Sequence, residues 1–172
     1  EADSQPGSGP RHIVFNSAGT LMYVVNELAA TINVFAFDAA TGTIGEILQT
    51  VSTVPDPFEG TKSTAEIAID PSGRFLYNSN RGQPDMVTPE GDAIVAWSID
   101  PTTGFLTLIG YTTEGIADPE CFAIDAAGAN LYVANYNDSS IGQFAIDQDT
   151  GALTLTGDAT AVPFPFVIAL SA

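Results

Sequence analysis

Arg11, His12, Glu27, Glu66 and Arg81 fall at matched places in a repeating sequence, and their types are those of acid/base and anion-binding chemistry. A guanidinium offers parallel N–H donors to an oxyanion, and an imidazole or carboxylate can take a proton from water. Exposed Glu and Arg are more often simply solvated, and a lone His is often structural. Scarcity argues the other way. The chain has four cations, Arg11, Lys62, Arg74 and Arg81, and two of them occupy equivalent positions beside the sole histidine. A channel ion-pair network is the competing explanation. Arg74, next to a turn glycine at the other end of its hairpin, and Lys62, in a loop beside Glu59, are expected at the surface.

The positions match because the sequence repeats. Phe-Asn-Ser-Ala-Gly-Thr-Leu-Met-Tyr at 15–23 returns as Ile-Asp-Pro-Ser-Gly-Arg-Phe-Leu-Tyr at 69–77 and again at 124–132. Gly19, Gly73 and Gly128 keep step, as do Tyr23, Tyr77 and Tyr132, and Asn26, Asn80 and Asn135. Asp38, Asp100 and Asp147 each precede a Thr-Gly turn. The recurring asparagines suit a structural role, bonding backbone at a strand end. Counting outward from each turn glycine brings His12, Glu66 and Cys121 to one end of successive hairpins, together with Glu27, Arg81 and Tyr136. Arg11, Ala65 and Glu120 come one step earlier.

Each repeat alternates apolar and polar residues with period two between turn signals, as in Leu21-Met-Tyr-Val-Val and Ile32-Asn-Val-Phe-Ala-Phe. Four antiparallel strands per repeat follow, with no helical period anywhere. Four-stranded sheets at this spacing predict an all-β fold, a β-propeller of which the chain holds about three blades plus one strand. The repeats run over about 9–62, 63–117 and 118–164, and residues 165–172 are expected to begin or complete another blade. Residues 83–92, rich in Pro and Gly, form an insertion between the second and third strands of the middle repeat. Three blades do not close a ring, so the whole chain, 1–172, is expected to be part of a propeller domain completed by N-terminal blades or by a second copy.

A net charge of −17 opposes nucleic acid and anionic membranes as partners. It suits a protein kept soluble in high salt or a secreted one equally. Cys121 is the only cysteine, which rules out an intrachain disulfide, and no Cys/His spacing fits zinc. The apolar run 162–169 is short and broken by Pro163 and Pro165, so it cannot span a bilayer.

Four motifs in order, Gly9-Pro-Arg-His12, Val25-Asn-Glu-Leu28, Ala65-Glu-Ile67 and Ser79-Asn-Arg-Gly82, resemble the C-terminal portion of the lactonase family of seven-bladed propellers, the family of 6-phosphogluconolactonases and carboxymuconate cyclase. The resemblance implies hydrolysis of a small anionic sugar lactone in the central channel, without metal or cofactor. It makes Arg11 and Arg81 the substrate-binding residues and oxyanion stabilisers, and Glu27 or His12 the general base, with Glu66 the further catalytic candidate. Pro119-Glu120-Cys121 departs from the family, in which Pro-Arg is common there, and this weighs against phosphate binding. The residues of the N-terminal blades are absent, so this chain alone is not expected to be a competent enzyme. A carboxymuconate-type lactonising enzyme and a non-catalytic surface or periplasmic binding propeller are the alternatives. A cytoplasmic location is expected, with a secreted or periplasmic one as the alternative.

Overall fold

The structure, a computed structural model, describes residues 4–58, 63–82 and 91–170. Three antiparallel sheets follow one another along the chain. Blade 1 is β1 (Pro10–Phe15), β2 (Leu21–Asn26), β3 (Thr31–Asp38) and β4 (Thr43–Ser52) in that spatial order. Blade 2 repeats it with β5 (Thr64–Ile69), β6 (Phe75–Asn80), β7 (Ala93–Ile99) and β8 (Leu106–Thr112). Blade 3 has β9 (Pro119–Ile124), β10 (Asn130–Asn135) and β11 (Ser140–Ile146), with the outer edge shared between β12 (Leu153–Leu155) and β13 (Thr160–Ala161), both paired to β11. No helix occurs among the described residues. The inner strands β1, β5 and β9 lie side by side, which is the arrangement of propeller blades around an axis.

Alternation along each strand sends side chains to two opposite blade faces. Tyr23, Val25, Ile32 and Val34 of blade 1 pack on Ile67, Leu76, Val95, Trp97 and Leu106 of blade 2. The other face of blade 2 carries Phe75, Tyr77, Ile94 and Ala96 against Phe122, Leu131, Val133, Phe144 and Ile146 of blade 3. Blade 2 is therefore buried on both faces. The far face of blade 1 leaves Ile13 and Phe15 exposed.

A repeated clasp fixes one blade on the next. The Tyr23 hydroxyl donates to the Gly104 carbonyl at 2.9 Å, and the Tyr77 hydroxyl donates to that of Gly151 at the same distance. Burial pushes the Tyr23 pKa up to about 12 and that of Tyr77 higher still, so both remain donors. Gly104 and Gly151 have φ of 73° and 75°, and each lies so close to the preceding blade, at Leu21 and Phe75, that a Cβ would collide. Asp100 and Asp147 hold these turns by accepting backbone N–H bonds from Thr103 and Thr150 at 2.7 and 2.8 Å, which keeps both carboxyls below their ordinary range.

Asn80 and Asn135 have the expected structural role, donating to the backbone carbonyls of Thr53 and Gly115 in the interblade links. Asn26 instead bonds the side chains of Thr31 and Asn33. Residues 165–170 form no strand and pair with none of the described strands. Lys62 and most of the 83–92 insertion lie outside the described residues. Arg74 is exposed as expected, its guanidinium 5.0 Å from the centre of the Phe75 ring.

Replacing Tyr77 by Phe removes the donor to a buried carbonyl and is expected to cost about 1–3 kcal/mol. Tyr132→Phe, at the equivalent but half-buried position, should cost under about 0.5 kcal/mol. Urea unfolding of the two variants checks the difference, and equal losses would deny the clasp its role.

Candidate active site

The ladder corrects the simple count from the turn glycine. His12 pairs with Val25 and Cys121 with Ala134, so Glu27 and Tyr136 lie two residues beyond, where Glu27 N–H bonds the Gly9 carbonyl at 2.7 Å and Tyr136 N–H that of Asp118 at 3.2 Å. Arg81 N–H bonds the Ser63 carbonyl in the same way at 2.7 Å. Each inner strand also carries a register shift, between Pro10 and His12, between Thr64 and Ile67, and between Pro119 and Cys121. A bulge re-aims the extra residue. The residues so displaced are Arg11 in blade 1, Ala65 with Glu66 in blade 2, and Glu120 in blade 3.

Two groups of side chains meet at this end of the blades. In the first, Arg11 Nη1 donates to Glu27 Oε1 at 3.1 Å and Nη2 to Glu120 Oε2 at 3.3 Å. Arg81 Nη1 donates to Glu120 Oε1 at 2.6 Å, and its Nη2 reaches both Glu27 Oε1 and, at 3.1 Å, Ser63 Oγ. Two arginines and two glutamates thus alternate in a closed ring drawn from three blades. The Arg81 and Glu120 side chains are 14 % and 11 % exposed, so the ring is far less wet than an ordinary surface pair.

In the second group, His12 Nδ1 and Glu66 Oε1 are 2.9 Å apart. The same Glu66 oxygen accepts the Ile67 N–H at 3.0 Å, and the Glu66 N–H donates to Ser79 Oγ at 3.0 Å, which fixes the carboxylate in place. An ionised carboxylate only accepts, so Nδ1 carries the proton toward Glu66 and Nε2 is left as the basic nitrogen. The His12 side chain is 43 % exposed, open to water and substrate. Cys121 continues the row against Glu66. Burial, more than any charge, pushes its thiol up and makes it a poor nucleophile.

All five residues picked from the sequence reach this end, but as two clusters, Arg11, Glu27 and Arg81 in the ring and His12 with Glu66 beside it. Glu120 is the member the candidate set left out. Its position equivalent to Arg11 was visible, but its pairing with both arginines depends on the bulge. Asp118, just before it, was also missed. Burial raises the Asp118 carboxyl above its ordinary range, with Glu120 and Asp92 adding to the effect and Arg81 opposing it. Among the described residues no group of three or more His, Cys, Asp or Glu side chains is placed to hold a metal ion. No helix there is long and apolar enough to cross a membrane.

Two four-stranded blades and a third whose outer edge is split between β12 and β13, with their inner strands side by side, define a β-propeller. A family model for the seven-bladed β-propeller lactonases matches residues 1–170, and the chain belongs to that family. It is 38 % identical to a 6-phosphogluconolactonase of Sodalis glossinidius over 88 % of this chain and 43 % of the relative. It is 31 % identical to that of Bacillus subtilis over 95 % and 44 %. The solved structure of the periplasmic gluconolactonase of Pseudomonas aeruginosa superposes with a TM-score of 0.85 at 30 % identity, over 95 % of this chain and 43 % of the other. The chain spans less than half the length of these relatives.

Asp118 also has φ of 50°, a conformation that Asn accepts well. A carboxyl raised in the folded state loses stability as pH climbs through its folded pKa, and an amide does not. Asp118→Asn is therefore expected to stabilise the chain at pH 7 by up to about 1 kcal/mol, with the charge-linked part of the gain vanishing near pH 4. Thermal unfolding of both proteins across that range checks the sign.

Proposed function

We propose that this rim hydrolyses a small sugar lactone, the kind of reaction for which the 6-phosphogluconolactonase and gluconolactonase relatives are named. The observation that carries the reading is the placement of a water-exposed imidazole, oriented by Glu66, at the same end of the blades as two guanidinium groups, Arg11 on β1 and Arg81 just past β6. His12 Nε2 takes a proton from water as the oxygen attacks the lactone carbonyl. Negative charge then develops on the carbonyl oxygen, and N–H donors of Arg11 and Arg81 stabilise it. Collapse breaks the bond to the ring oxygen, which receives the proton held on His12, and an open-chain acid leaves. The chemistry is assigned to side chains alone, with no metal or cofactor.

Glu27 and His12 were equal candidates for the base, and the geometry favours His12. Glu27 Oε1 accepts from both arginines, so that oxygen is already engaged and is not presented to a water molecule. Glu66 becomes a positioning residue that fixes the imidazole tautomer, and Glu27 a positioning residue for the two guanidiniums. The open face of blade 1 calls for neighbouring blades, from more of the polypeptide or from a second copy.

The test uses the complete natural polypeptide, with lactone opening followed by proton release and the spontaneous rate subtracted. His12→Gln is expected to lower kcat about 10²–10⁴-fold, and Arg81→Ala about 10²–10³-fold. Glu66→Gln should lower kcat with little change in KM and alter the pH profile. Full activity in the His12 and Arg81 variants, or no turnover of any sugar lactone by the parent, would overturn the reading.

A further inference from the structure

We infer that Glu120 makes this site selective for sugar lactones that carry no phosphate, an inference that rests on the lactone-hydrolase reading. Glu120 spans the two arginines with one carboxylate, Oε1 on Arg81 and Oε2 on Arg11, while Glu27 takes the remaining terminal nitrogen of each. Every terminal guanidinium nitrogen of the pair is thus engaged, and the end-on forks that would grip a phosphate are occupied. The side edge of Arg81 is closed as well, since its Nε–H is buried and without a partner among the described residues.

Each terminal nitrogen bears two N–H groups. Arg81 Nη2 uses both, on Glu27 and on Ser63 Oγ, but the other three terminal nitrogens each give one to a carboxylate and keep one, which suffices for a lactone carbonyl or a hydroxyl oxygen. A phosphate monoester needs more than this. It brings a charge of about −1.5 to −2 at neutral pH, and to pair with either arginine it must displace a carboxylate that is itself mostly buried. A carboxylate so displaced is left without its cation, a costly state away from bulk water.

The surrounding charge points the same way. Among the described residues, Glu27, Glu66, Glu120, Asp92 and Asp118 share this end of the blades with Arg11, Arg81 and His12, with Asp118 already pushed toward its neutral form by burial and by its acidic neighbours. The bulged position is what decides the balance. It holds a cation in blade 1, Ala65 in blade 2 and an anion in blade 3. With the anion there, the two guanidiniums are neutralised before a substrate arrives. An uncharged aldonolactone escapes this penalty.

The experiment compares glucono-δ-lactone with its 6-phospho derivative, using the complete natural polypeptide and its Glu120→Gln variant. The parent is expected to favour the unphosphorylated lactone at least tenfold in kcat/KM. In Glu120→Gln the ratio of phosphorylated to plain substrate should rise tenfold or more, with most of the rise appearing in KM. A parent that prefers the phosphorylated lactone, or a ratio unmoved by Glu120→Gln in a variant with native circular dichroism, overturns the inference while leaving the hydrolase reading intact. Calorimetric binding of gluconate and 6-phosphogluconate provides a readout that does not require turnover. If neither lactone is opened, the hydrolase reading fails, yet tighter binding of gluconate that Glu120→Gln reverses would still support the charge selectivity. Tighter binding of 6-phosphogluconate, or binding of neither acid, would overturn it.

Discussion

A propeller blade has two apolar faces and no helix to cover either, so each face is buried only by the next blade. Most of what the structure shows depends on this. It requires apolar residues on both sides of the middle sheet, and blade 2 supplies them, with Leu76 and Trp97 toward blade 1 and Phe75 and Tyr77 toward blade 3. It also requires that the polar groups caught between faces be paired there. Trp97 Nε1 donates to Asn78 Oδ1 at 2.8 Å inside one interface, and the two tyrosine hydroxyls reach glycine carbonyls at the turns. Such bonds add modestly to stability when made, but a buried donor or acceptor left alone costs more, so they select a single docking register.

That register carries over to the opposite end of the blades. The tyrosine clasps hold the turn ends, and the packed faces leave little freedom for the inner strands to slide. Residues at equal places in the sequence repeat therefore meet across the interface, as His12 and Glu66 do at a sequence separation of 54 residues. Placing charges on this frame takes one further device. A regular strand would send alternate residues into the apolar interface, and the bulge in β1, β5 and β9 turns one residue out of that alternation. The ring of Arg11, Glu27, Arg81 and Glu120 follows from the bulges in β1 and β9, which place Arg11 and Glu120, and from the chain just past β2 and β6, which carries Glu27 and Arg81.

Much of this was legible beforehand. Gly19, Gly73 and Gly128 mark the first hairpins because those turns need positive φ, at 65°, 73° and 68°, and the period-two runs between turns set the strands. The end of the blades holding the candidate residues followed from hairpin symmetry alone. What could not be read was finer. The hairpin pairs Phe15 with Met22 and so centres just before Gly19, which is why the count from the glycine missed the true partners by two residues. The bulge beyond His12 is a backbone adjustment with no fixed residue signature. Glu120 looked like a lost cation because its value lies in partners from two other blades. Residues 165–170 have strand-like composition, but a strand exists only when another pairs with it, and composition carries no information about the partner. The division of the outer edge of blade 3 between β12 and β13 also left no trace that periodicity could detect, since Gly157, in the break, is one more glycine among many turn glycines.

The charge of the whole chain and the charge of the site are separate questions. A net −17 repels any anion at a distance, but at physiological salt exposed charges are screened over about 8 Å. A substrate inside the channel mouth therefore responds chiefly to the groups nearest it. There the two arginines are held by two carboxylates. This arrangement keeps the guanidiniums fixed and their N–H bonds aimed without a ligand, which is the preorganisation that stabilising a developing oxyanion requires. It also limits what they can bind. A group of donors tied down by carboxylates can respond to the partial charge that grows on one carbonyl oxygen, but it cannot accept a full dianion without first releasing its own anions. Pre-aimed donors and weak phosphate binding are two consequences of one arrangement, and Glu120, which bonds both arginines, belongs to both.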